Sequence, residues 1–198
     1  MCITNENKSL MQLRELIETI DAFFPPETAM DGDRTGLQLQ SGRTDASSIL
    51  FAYEMTPEVV AEAQSLSADC VVAFHPLIYS PLKEISDSER VGFIVTRLVQ
   101  SGIALISVHT RFDVFSLGTS RILADLFGLL DSQFLVPNAT RADFGMGIVG
   151  NLANPMPGHQ LVQLVSEKLG TPVRFAEGAK EPIERVAIVG GSGTSFMG

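Results

Sequence analysis

Two stretches decide the fold: Asp69-Cys70-Val71-Val72-Ala73-Phe74-His75-Pro76 and Ile103-Ala104-Leu105-Ile106-Ser107-Val108-His109-Thr110-Arg111-Phe112-Asp113. Each is a short apolar run, rich in β-branched residues, that stops at a histidine. Unbroken apolar runs of this length read as strands buried on both faces, the habit of parallel sheets. In open α/β sheets ligands sit at the carboxyl ends of the strands. Two of the three histidines, His75 and His109, therefore fall where chemistry is usually placed, with Asp113 four residues after the second. Imidazole plus carboxylate is a ligand set for a divalent metal. A strand-end histidine can also simply cap a turn, and spacing alone leaves both roles open.

Working outward, the chain alternates strand and helix signals. Ser48 to Met55 reads as a strand, and Thr56-Pro57-Glu58 opens a helix with Thr56 as N-cap and Pro57 at the first helical position. After His75 the segment Pro76 to Leu82 is apolar but broken by prolines, so it is expected as a loop packed over the sheet edge. Helices follow over Ser88–Gln100 and Gly118–Phe127, on either side of the strand 103–108. The β-α-β-α alternation predicts an α/β protein with a mostly parallel mixed sheet flanked by helices.

Upstream, Ser9 with Gln12 resembles a capping box. Leu10, Leu13, Leu16, Ile17 and Ile20 then recur at helical spacing until Pro25-Pro26. Asp31-Gly32-Asp33-Arg34-Thr35-Gly36 is a polar turn, and Leu37-Gln38-Leu39-Gln40 alternates as in a short strand. Past Val136-Pro137-Asn138 the texture changes: Gly145, Gly147 and Gly150 interleave with Met146, Ile148 and Val149 as in a strand with close backbone approaches. A helix is expected from Pro157-Gly158-His159 to about Leu169. Strands are expected over 172–175 and 185–189. His159, with no acidic or cysteine neighbour, reads as an exposed structural residue. The expected organisation is a flexible tail 1–8, an α/β domain 9–136 carrying the site, and a second part 137–198. The final Gly190-Gly191-Ser192-Gly193 looks interrupted before a helix, and it lacks the lysine of a phosphate-binding loop.

The 198 residues are 45% hydrophobic and 19% charged, ordinary for a protein with a real core. A net charge of −9, dispersed without long blocks of one sign, argues against nucleic acid and anionic membranes as partners. The two cysteines, Cys2 and Cys70, make no disulfide framework and fit a reducing compartment. The polar N-terminus has no signal-peptide core, and no apolar run approaches spanning length. A cytoplasmic location is expected.

Asp33-Arg34-Thr35-Gly36-Leu37, Met55-Thr56-Pro57-Glu58-Val59, Phe74-His75-Pro76-Leu77-Ile78, His109-Thr110-Arg111-Phe112-Asp113 and Gly190-Gly191-Ser192-Gly193 occur in this order. Together they resemble the Nif-three-like family of GTP cyclohydrolase I type 2 homologues. The resemblance implies an α/β fold in two related parts, of which the second is incomplete here, assembled as a toroidal hexamer. It also implies a dinuclear metal site, with ligands from a His-His-Pro motif, the Asp of a His-Thr-x-x-Asp motif, and a His and a Glu near the C-terminus. On that pattern His75 and Asp113 are metal ligands, Phe74 stands where the first histidine would be, and the C-terminal pair has no counterpart. His109 then serves as a residue that orients a ligand or as a general base. At most one divalent ion per chain (Zn, Fe, Mn or Mg) is expected.

The implied activity is hydrolysis of a small-molecule substrate, a nucleotide among the options, by metal-activated water. The ligand count makes that activity impaired. A non-catalytic metal-binding or assembly protein of the same fold, or a fragment of a longer one, are the competing expectations.

Overall fold

A computed structural model describes residues 11–40, 42–176, 178, 180–191 and 193. The chain divides into two compact units, with the division between Phe112 and Asp113. That division falls earlier than the residue-136 boundary expected from the texture of the sequence. The expected tail 1–8 lies outside the described residues.

The first unit is built on a four-stranded sheet in the order β1-β4-β3-β2. The strands are β1 (Gly36–Leu39), β2 (Ile49–Ala52), β3 (Cys70–Ala73) and β4 (Ala104–Ser107). The last three run parallel, and β1 pairs antiparallel with β4. Every residue of β3 and β4 is buried, as their unbroken apolar runs require. The pleat sends alternate residues to opposite faces. Val71, Ala73 and Leu105 pack with Val60, Ala63, Ile94 and Leu98 beneath helices α2 (Pro57–Ser65) and α3 (Arg90–Ser101). Cys70, Val72, Ala104 and Ile106 pack against Leu13 and Leu16 of α1 (Leu13–Phe23). Burial, together with the neighbouring Asp69 carboxylate, pushes the Cys70 thiol up to about 12.

Local signals explain the element ends. Thr56 caps α2 by accepting a hydrogen bond from the Val59 N–H at 3.2 Å, with Pro57 at the first helical position. Gly102 closes α3 at φ +66°, a left-handed turn that favours glycine. The cap of α1 differs from expectation. It is Gln12, whose N–H donates to Glu15 Oε2 at 3.0 Å, and Ser9 lies outside the described residues. The Pro76–Leu82 segment has no regular structure and is pinned, as a packed loop should be. Ile78 exchanges two hydrogen bonds with the Gln38 amide, and Leu77 is buried.

The second unit carries an antiparallel sheet, β5-β6-β7. Its elements are α5 (Thr119–Leu126), β5 (Leu130–Pro137), β6 (Gly145–Met156), α6 (Gly158–Leu169) and β7 (Ile183–Ile188). Two readings change here. β5 is absent from the sequence reading, because Asp131 at φ +48° and a register shift between Leu130 and Gln133 break its alternation. Residues 172–175, expected as a strand, join no sheet. His159 is exposed near the start of α6, as expected. Among the described residues no helix is long and apolar enough to cross a membrane.

Candidate functional site

The parallel register explains why the two histidines meet. Ala73 stands opposite Ser107, so His75 and His109 each lie two residues beyond an aligned pair. The ladder continues past the strand ends. Val108 N–H donates to the Ala73 carbonyl at 3.1 Å, and His109 N–H to the Phe74 carbonyl at 2.9 Å. Ser107 Oγ reaches the same Phe74 carbonyl at 3.0 Å. The imidazole centroids end 5.5 Å apart. The two imidazoles thus lie together at the carboxyl ends of the parallel strands in the first unit.

His109 starts the short helix α4 (His109–Asp113) at φ +32°, a region that costs energy for a side chain with a Cβ. A hydrogen-bond network holds it there. His109 Nδ1 lies 2.6 Å from Asp33 Oδ1. Asp33 Oδ2 accepts from the Thr110 N–H at 3.2 Å and from the Thr110 hydroxyl. The Arg34 N–H also donates to Asp33 Oδ1, at 2.6 Å. The Asp33 side chain is only 3% exposed. Burial by itself would raise the Asp33 pKa. The hydrogen bonds from Thr110, His109 and the Arg34 N–H outweigh it and hold the carboxyl below its ordinary value. With Nδ1 tied to the carboxylate, Nε2 is the nitrogen left for chemistry.

Arg111, on the same helix and 1% exposed, donates to Asp21 Oδ1 at 2.7 Å and to the Phe24 carbonyl at 2.9 Å. It thereby ties α4 to the C-terminal end of α1, where a cation is favoured.

Phe74 carries no donor. Its ring stacks on Tyr53, with centroids 5.5 Å apart and planes within 6°. Both rings meet His75 edge-on, at 4.7 Å from Tyr53 and 4.8 Å from Phe74. Tyr53 follows β2 as Phe74 follows β3, and the register of Ala52 opposite Ala73 sets them side by side. Asp113, the third residue expected at the site, opens the second unit, where it is buried.

For a resident metal, the first unit offers two adjacent imidazoles, one already oriented by a carboxylate as metal-binding histidines usually are. Among the described residues no group of three or more His, Cys, Asp or Glu side chains converges. A catalytic zinc site keeps about three protein ligands and a dinuclear centre needs more, so the described donors do not complete either.

Sequence reasoning missed Asp33 as a site residue. It quoted Asp33 only as part of a polar turn and a resembling motif, because the partner lies 76 residues away. The Tyr53–Phe74 stack was missed as well.

This arrangement is an α/β domain with a polar site at the carboxyl ends of a parallel sheet. Residues 11–198 match the Duf34/NIF3 (NGG1p interacting factor 3) family, and the chain belongs to it. A GTP cyclohydrolase 1 type 2 homolog of Streptomyces coelicolor is 32% identical over 191 residues, covering 94% of this chain and 67% of the relative. One from Clostridium perfringens is 28% identical over 189 residues, covering 95% and 72%. Among solved structures, a Staphylococcus aureus hypothetical protein superimposes with a TM-score of 0.84 at 25% identity, over 94% of this chain and 74% of the other. A Bacillus cereus protein related to NIF3 gives 0.84 at 21% identity, over 96% and 79%, a likeness of fold alone.

Proposed function

We propose that the strand-end rim is a hydrolytic site in which His109, held by Asp33, moves the proton. The observation that carries this is the 2.6 Å contact between the buried Asp33 side chain and His109 Nδ1. The carboxylate fixes the tautomer and steadies the imidazolium that forms when Nε2 takes a proton from attacking water. Thr110 and the Arg34 N–H keep Asp33 from turning away. His75, 5.5 Å from His109, adds a second imidazole beside the reacting atoms. The names of the relatives make a nucleotide or other small molecule the first substrate class to try.

The test is hydrolysis of GTP and of chromogenic ester and phosphoester substrates by wild type, His109→Gln and Asp33→Asn. Activity that falls roughly 100-fold or more in both variants supports the reading. Equal rates in all three proteins overturn it.

Two expectations from the resemblance accompany this proposal. One is at most one weakly held divalent ion per chain, with His75 and Asp113 among its ligands. Elemental analysis of wild type, His75→Ala and Asp113→Ala after dialysis checks it, and two tightly held equivalents would refute it. The other is self-assembly as a hexamer, which light scattering showing only monomer would refute. Phe74 favours a second reading, a family member without turnover, because a phenyl ring neither binds a metal nor activates water.

A further inference from the structure

The α1 face of the first sheet is only partly covered. Beside α1 lies an open cavity of about 460 Å³. Ile20 of α1 and Phe24 just beyond it line the cavity together with Phe51, Tyr53, Phe74 and Phe112. All of its lining residues belong to the first unit. Its size lies within the ~300–1,000 Å³ typical of small-ligand pockets.

Three observations specify what it would hold. First, among the described residues no Lys, Arg, Asp or Glu lines the cavity, and the Tyr53 hydroxyl is its one polar side-chain group. A charged ligand would lose its water there with nothing to replace it. Second, five of the nine described lining residues are aromatic: Phe24, Phe51, Tyr53, Phe74 and Phe112. Tyr53 and Phe74 stack on each other within 6° of parallel, and the Phe24 and Phe112 rings meet edge-on at 79°. The ring faces and edges left uncovered favour offset or edge-on contact with another planar π-system. Third, two of these rings are held open to solvent, with Phe51 75% and Tyr53 69% exposed, so a bound ring would bury apolar area that folding leaves wet.

We propose that this cavity binds an uncharged, planar aromatic molecule, packed against the exposed rings of Phe51 and Tyr53. The same Tyr53 and Phe74 rings touch His75, so the ligand's edge comes to rest beside the imidazole pair. Only the step from ligand to substrate rests on the hydrolytic reading above. Binding itself is measured without turnover, so the two can fail separately. A triphosphate nucleotide does not suit this cavity, because no cation lines it.

The experiment is a fluorescence titration of the full chain with 1-aminoanthracene, an uncharged planar probe. Wild type is expected to show one saturable site. Phe51→Ser, at an exposed position that leaves the core intact, is expected to weaken binding roughly tenfold or more, whereas Phe51→Tyr keeps the ring and retains it. GTP is expected not to displace the probe. Absence of a saturable site, unchanged binding in Phe51→Ser, loss of binding in Phe51→Tyr, or displacement by GTP would each overturn the proposal.

Discussion

The two faces of the first sheet are made from the same strands and reach different ends. On one, α2 and α3 together cover Val71, Ala73 and Leu105, and Ile94 and Leu98 are fully buried. On the other, α1 covers Cys70, Val72 and Ile106 but leaves Phe51 and Tyr53 of the β2 edge in solvent. One pleated ribbon feeds both, so the difference lies in how many helices the chain spends on each side. The closed face holds the unit together. The half-open face, with the polar rim at its carboxyl end, is where a ligand can reach the chain.

The sharpest way to test that contrast is to damage the closed face. Leu98→Ala, fully buried beneath the sheet, is expected to lower unfolding stability by about 3 kcal/mol, read by urea denaturation. A loss under about 1 kcal/mol would mean that this face is not the packed one.

Next in size is the rim. Asp33→Ala removes a buried acceptor for His109 and Thr110 and releases a His109 backbone held at φ +32°. A loss of about 2 kcal/mol is expected from the orphaned partners.

Acid should report the same network more gently. The Asp33 carboxyl titrates below its ordinary value in the folded chain. Its contribution is therefore complete above the ordinary carboxylate range and disappears as pH falls through the folded value. Urea midpoints measured from about pH 6 down to about pH 3 should fall less steeply in Asp33→Asn than in wild type. Parallel curves would show that Asp33 is not held ionised.

The smallest stability effect belongs to the open face. Phe51→Ser should change stability by less than about 0.5 kcal/mol, because the ring it removes is mostly in water. A large loss would mean that the ring is packed in solution and that the two faces are more alike than the structure shows.

Much of the frame was readable in advance. The runs at 69–74 and 103–108 read as buried strands, Thr56-Pro57 read as a helix start, and the histidines followed the strand ends. Each of these depends on neighbours within a few residues, which is the range over which period and capping act. β5 escaped because a bulge at Asp131 erased its alternation, a local signal spoiled locally.

The sequence by itself determined that two imidazoles would sit at strand ends. Tertiary structure decided what surrounds them. The pairing of Asp33 with His109 joins residues 76 apart, and no pattern in either segment announces the other. The register of three parallel strands brought His75 to His109 and Tyr53 to Phe74. The placing of one helix over a four-stranded sheet left the aromatic cavity open. Contacts of this kind exist only once the chain has closed on itself, because their energy comes from surfaces that the unfolded sequence never brings together.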